Sequence, residues 1–258
     1  MCLNGRRLDN MNKRSVFRII IFYIIAISIS NIFRFNLFGW EQVVQKLPLW
    51  GQSLLAPLQS AGIFIGALIA LYLLKRDRDP VYSFFGTSLG WSLVMALIPL
   101  LLLTVIGVKK SVEINIHLNG LIIGLGTLTY CYFEEIGWRG YLQDELHNLN
   151  EFQRVLIIGF LWYFWHLMFI NDQSIINNLI FGGILTISSW GLGKVIELTK
   201  SILAVASFHM VINIIAMNSI ITNSLSGSEK LLILAVAVIL YIVILIQWSK
   251  NTKTKFEE

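Results

Sequence analysis

The apolar residues of this chain are gathered into blocks too long and too uniform for the core helices of a soluble domain. Eight can be drawn, at about 17–33, 53–74, 81–107, 115–138, 155–170, 176–193, 202–220 and 231–248. A hydrocarbon layer about 30 Å thick takes roughly 20 residues of helix. Lipid offers no partner to an unpaired backbone group, so such stretches cross it as helices. Composition agrees, with 56% of residues hydrophobic and 14% charged against about 25% charged in soluble domains. The expected fold is all-α: a polytopic membrane protein of about eight transmembrane helices in one bundle, with residues 1–258 as a single integral-membrane domain. The fifth and sixth blocks are the weakest, and the third is long enough to tilt or kink around Pro99. No soluble domain fits between the blocks, and no internal repeat is evident.

The net charge of +5 would suit a nucleic-acid partner in a soluble protein, but here the basic residues lie at block ends. They therefore read as membrane orientation, with no nucleic acid involved. With the N-terminus in the cytosol, fifteen lie inside: Arg6, Arg7, Lys13, Arg14, Arg18, Lys75, Arg76, Arg78, Arg139, Arg154, Lys194, Lys200, Lys250, Lys253 and Lys255. Five lie outside: Arg34, Lys46, Lys109, Lys110 and Lys230. Both termini are expected in the cytosol, and the Ile- and Asn-rich composition reads as a bacterial plasma-membrane protein. The N-terminal basic run reads as a retained signal anchor, with Met11 as a second candidate start. Segment 141–153 places Leu142, Leu146 and Leu149 at helical spacing among polar residues, an interfacial amphipathic turn or short helix.

The chemistry lies in the exceptions to apolarity. Glu134 and Glu135 follow an apolar run, and a carboxylate at a membrane helix centre costs on the order of 3 kcal/mol, which marks intramembrane acids as functional candidates. On a helix the two carboxylates point about 100° apart. Glu135 can pair with Arg139 at i, i+4, leaving Glu134 free to face a cavity and hold a water. A solvated helix end with a surface ion pair is the plainer explanation. His166 sits in the aromatic run Trp162-Tyr-Phe-Trp-His166, as a packed residue or as a functional one. His209 and Asn213 share a helix face and could bond helices together, hold an oxyanion, or join Glu134 and His166 around a metal. By depth, Glu134, His166 and His209 are expected in the cytosolic half of the membrane, His209 roughly 10 Å and His166 roughly 16 Å along their segments.

Other intramembrane chemistries lack their residues. There is no His-Glu-x-x-His, and every aspartate (Asp9, Asp77, Asp79, Asp144, Asp172) falls in a tail or loop. Gly86-Thr-Ser88-Leu-Gly90 matches Gly-x-Ser-x-Gly but lies in an expected membrane helix, where small residues serve packing. Cys2 and Cys131 have no metal-site spacing, and Cys131 reads as a small packing residue. His117 and His147 lie away from the cluster.

Taken in order, Glu134-Glu135-x-x-x-Arg139, Trp162-x-x-x-His166 and His209-x-x-x-Asn213 resemble the CAAX protease and bacteriocin-processing family, also known as Abi or type II CAAX prenyl endopeptidases. The resemblance covers about 115–218, with Trp162 where the family commonly has Phe. It implies an endopeptidase that hydrolyses a peptide bond of a membrane-associated peptide or protein with a Glu/His-activated water. Glu134 would activate water with His166 assisting, His209 and Asn213 would stabilise the oxyanion or contribute to a metal site, and Glu135 and Arg139 would support them. Members are often labelled metalloproteases, so Zn2+ is the candidate cofactor beside a metal-free glutamate mechanism. A non-catalytic bacteriocin immunity protein on the same fold is the competing expectation.

Overall fold

The structure is a computed structural model and describes residues 12–74, 76, 78–109 and 114–257. Cys2, Arg6, Arg7, Asp9, Met11, Lys75, Asp77 and Lys110 lie outside the described residues. Eight principal helices follow one another: α1 Lys13–Arg34, α2 Leu49–Leu73, α3 Leu89–Ile106, α4 Ile116–Gln143, α5 Glu151–His166, α6 Ile175–Thr199, α7 Ile202–Met217 and α8 Gly227–Glu257. Six of them, all but α5 and α7, are long and apolar enough to cross a membrane. No named strand occurs among the described residues, and the protein is an all-α polytopic membrane protein.

Polar side chains at the block edges start the helices by accepting from exposed backbone N–H groups. Asn12, Ser88, Asn115, Ser174 and Ser201 cap α1, α3, α4, α6 and α7. Asn150 and Gln153 form a reciprocal capping box on α5. Short connections make successive helices alternate in direction, so the bundle has two ends. At the basic end, Arg18 of α1 pairs with Glu145 just after α4 at 2.6 Å. Ser83 N–H donates there to Lys200 C=O at 3.0 Å. At the opposite end, Arg34 of α1 donates to the Trp165 carbonyl of α5 at 2.8 Å, and Lys109 pairs with Glu229 at 3.0 Å.

Three expectations change. First, α3 begins at Leu89 rather than 81, and Pro99 is accommodated inside a continuous helix. Gly86-Thr-Ser88 therefore lies in the turn before it, not in a membrane helix. Gly86 has φ +60°, and a Cβ there would sit 2.2 Å from the Thr199 carbonyl oxygen, so only glycine fits. Second, α4 runs eight residues past Glu135, ending at Gln143 in a wider π-helical stretch. Third, the first half of 141–153 turns into the protein: residues 141–146 are buried, while 147, 148 and 150–152 are exposed.

That burial has an electrostatic cause. Asp144 and Glu145 accept three guanidinium groups: Arg18, Arg78 at 2.7 Å, and Arg76 at 2.8 and 3.1 Å. The Arg76 nitrogens are within ion-pair distance but off hydrogen-bond geometry. Ser15 also donates to Glu145, and Arg78 donates to the Asp144 carbonyl. Buried charge of this kind holds only when paired, so the cluster fastens the end of α4 to α1 and to the end of α2.

Glycines let α4 approach its neighbours, as small residues do between membrane helices. A Cβ on Gly126 would lie 2.2 Å from the Ser53 carbonyl oxygen of α2. Gly126→Ala should force α2 and α4 apart and lower thermal stability in detergent by about 1–3 kcal/mol. Gly183→Ala, where a Cβ meets nothing within 4 Å, should leave the melting temperature unchanged or higher; equal melting of the two variants would contradict the close approach.

Candidate active site

The two adjacent glutamates face different partners, as their 100° offset requires. Glu135 is fully buried, and its Oε1 accepts from Arg139 Nη1 at 3.1 Å and from His209 Nδ1 at 2.7 Å. The first bond is the expected i, i+4 pair; the second joins α4 to α7. The other Glu135 oxygen and two Arg139 nitrogens have no protein hydrogen-bond partner, so the network holds little redundancy. Arg139 also lies over the Trp162 ring at 4.4 Å from its centroid, a cation–π contact that supports a buried guanidinium.

Glu134, 1% exposed, accepts from Trp162 Nε1 at 2.9 Å through Oε2. It also neighbours the Tyr130 phenol one turn earlier. His166, the last residue of α5, places Nδ1 2.8 Å from the Trp162 carbonyl. A carbonyl only accepts, so Nδ1 carries the hydrogen and Nε2 is left as a lone-pair acceptor. In His209, Nδ1 faces the Glu135 carboxylate, which again leaves Nε2 as the available nitrogen. Asn213 Nδ2 donates to Cys131 Sγ at 3.3 Å and to the His209 carbonyl at 3.4 Å. Sulfur is a weak acceptor, so this amide is placed but not saturated.

Glu134, His166, His209 and Asn213 line one cavity of about 280 Å³. Glu135 and Arg139 lie behind its wall. Both helices that carry paired site residues widen beside them, α4 over Ile136–Gln143 and α7 over Asn213–Met217. Such π-helical turns recur at functional sites because they re-aim side chains that a regular helix would stack.

The depth expectation changes with the helix ends. Since α5 begins at Glu151, His166 lies roughly 22 Å along it rather than 16. His209 stays roughly 10 Å from the basic end of α7, and Glu134 is nearer the Gln143 end of α4 than its start, so only His166 shifts. The Zn2+ expectation is not matched by the donors: among the described residues no group of three or more His, Cys, Asp or Glu could hold a metal ion. His117 and His147 stand apart, on the Thr104 carbonyl and beside Arg78. Sequence reasoning missed Trp162 as a donor, Tyr130 as a lining residue and Cys131 as the acceptor that places Asn213. The first two had a signal: Tyr130 stands four residues before Glu134, and Trp162 four before His166, one turn away on the same face.

Residues 117–215 match the family model described as type II CAAX prenyl endopeptidase Rce1-like. A curated relative, CAAX prenyl protease 2 of Methanococcus maripaludis, is 33% identical over 123 residues, which cover 42% of this chain and 45% of the relative. The chain thus spans less than half the length of the curated relative it matches. No solved structure matches the chain. The family resemblance read from the three motifs is shown for this segment, which contains all six motif residues.

The buried pair makes a prediction independent of activity. Arg139→Ala leaves Glu135 charged inside the bundle without its guanidinium, and breaking a buried pair from one side costs about 3–5 kcal/mol. Folded yield and melting temperature in detergent should fall sharply. A variant as stable as the parent would mean that Arg139 does not support the site.

Proposed function

From the similarity of residues 117–215 to type II CAAX prenyl endopeptidases, we propose that this protein is an intramembrane endopeptidase. In this reading Glu134 and His166 activate a water that attacks a peptide carbonyl. The observation that carries the proposal is the shared cavity: a carboxylate, two imidazoles and a primary amide from three helices line one space inside an otherwise apolar bundle. Acids and amides are expensive in that setting, and their convergence supports a common task.

Glu134 accepts one proton of the water while His166 Nε2 accepts a hydrogen bond from the other, as its tautomer permits. The water oxygen adds to the carbonyl carbon. The oxyanion is held by Asn213 Nδ2, which exchanges its weak sulfur contact for a stronger acceptor. His209, held at Nδ1 by Glu135, lines the same space beside Asn213. The tetrahedral species then expels the amine. The C–N bond breaks, Glu134 returns its proton to the leaving nitrogen, and a carboxylic acid and an amine result; the acid then passes its remaining proton to the amine.

The Trp162 indole gives Glu134 a fixed orientation in this scheme. A hydrogen bond to a charged group is worth about 1.5–3 kcal/mol. Trp162→Phe keeps a ring against Arg139 and His209 but removes the donor, so cleavage of a membrane-bound precursor peptide should fall by about tenfold or more. Glu134→Gln keeps the shape and removes the base, and should reduce cleavage by on the order of 10²–10⁴ at unchanged protein level. Full retention of precursor cleavage or of bacteriocin protection by cells carrying Glu134→Gln would reject hydrolysis by Glu134, and retained protection would leave the binding-only immunity reading standing.

A further inference from the structure

The last turn of α5 brings Trp162 and His166 to the cavity, and it is held from outside its own helix. The final carbonyls of an α-helix have no partner within it. Here the chain leaves the helix at Leu167 in the left-handed conformation, φ +52°. A residue with a side chain adopts that conformation at a cost and keeps it only where its surroundings impose it. Those surroundings come largely from α1. Tyr23 Oη donates to the Leu161 carbonyl at 2.9 Å, and Trp165 Nε1 donates back to the Ala26 carbonyl at 3.3 Å. Arg34 Nη1 donates to the Trp165 carbonyl at 2.8 Å, so a cation from another helix caps the negative end of α5.

The same guanidinium makes two further contacts. It lies over the Trp165 ring, 3.4 Å from the centroid, and that ring meets the His166 imidazole edge to face at 4.9 Å. Phe181 of α6 closes on the imidazole at 5.2 Å. Arg34 Nη2 reaches the Tyr130 phenol oxygen at 3.5 Å, and Tyr130 lines the cavity one turn before Glu134. One planar fork thus touches the turn of α5 that carries His166 and the turn of α4 that carries Glu134. A lysine ammonium, a single point charge on a flexible stem, could not span both. In the sequence Arg34 is the one Lys or Arg between Arg18 and Lys46, a placement that suits an interfacial anchor equally well. The contacts separate the two roles: an anchor turns its charge to water, whereas this guanidinium is turned to a carbonyl, a ring and a phenol.

We propose that Arg34 is a positioning residue for His166. It holds the last turn of α5 closed, so that the Trp162 carbonyl keeps the imidazole hydrogen on Nδ1 and leaves Nε2 bare at the cavity. The site then extends beyond residues 117–215 that match the family model and depends on α1. The task given to His166 rests on the endopeptidase reading; the restraint on its ring does not.

The test is nuclear magnetic resonance of the full chain in lipid nanodiscs, with isotope-labelled histidine nitrogens. The chain has four histidines, and His166→Gln identifies the signals of His166. In the parent, His166 should show one tautomer, with its hydrogen on Nδ1. In Arg34→Gln the turn loses its cation and its fork, and the His166 signals should change to a mixture of both tautomers while those of His117 and His147 stay in place. Arg34→Lys keeps the charge without the fork and should show a smaller share of the second tautomer. A role in stability alone would lower the melting temperature and leave the tautomer of His166 as in the parent. The parent pattern in both variants, a mixture already in the parent, or a change shared by His117 and His147 overturns the proposal. Where Arg34→Gln gives no folded protein, Arg34→Lys decides by the same criteria. No turnover is read, so failure here leaves the Glu134→Gln test of hydrolysis untouched, and failure of that test leaves the tautomer measurement standing.

Discussion

One carboxylate oxygen organises the site. Glu135 Oε1 receives a guanidinium from its own helix and an imidazole from α7. An ionised carboxylate with no exposed surface costs several kcal/mol to desolvate, so it persists only with such partners. The same bonds position the groups at the cavity. Held at Nδ1, His209 turns Nε2 outward, and Arg139, drawn to Glu135, lies beneath the Trp162 ring whose N–H holds Glu134. From one buried charge the contacts reach α4, α5 and α7 in turn.

The backbone adapts to that demand. A regular helix stacks side chains at i, i+4, which suits Glu135 with Arg139. The widened turns after Glu135 and at Asn213 break this stacking where the two helices face the cavity. Close packing at Gly126 and Gly137, where an added Cβ would collide with Ser53 and Ile63, brings α2 against α4 and closes the cavity's wall. The ion cluster on Asp144 and Glu145 then fixes the far end of α4 so that this register cannot slide.

Much of this was legible in the sequence, because its signals are strong and local. Eight apolar blocks correspond to eight helices, since block length and lipid thickness leave few alternatives. Glu135 with Arg139, and His209 with Asn213, are spacing arguments within a single helix. What the sequence withheld depends on contacts between helices. The bond from Glu135 to His209 spans 74 residues. Helical spacing puts Trp162 on the face of His166 but does not say that its indole N–H meets Glu134, and no periodicity marks the sulfur of Cys131 as an acceptor. The stretch 141–146 has an amphipathic pattern that suits an interface equally well, and only the arginines of α1 and the α2–α3 connection draw it inward. The depth of His166 likewise follows from where α5 begins, and helix ends are the least certain part of a sequence reading.

The coupling across Glu135 is the claim on which the account turns, and a double-mutant cycle measures it most directly. Glu135→Gln, His209→Ala and the double variant are compared with the parent by thermal unfolding in detergent. Residues sharing one buried network are non-additive by about 0.5–3 kcal/mol, so the double variant should melt close to the more damaged single variant. Strictly additive losses would show that the carboxylate and the imidazole act independently, and that α4 and α7 are not joined at this oxygen.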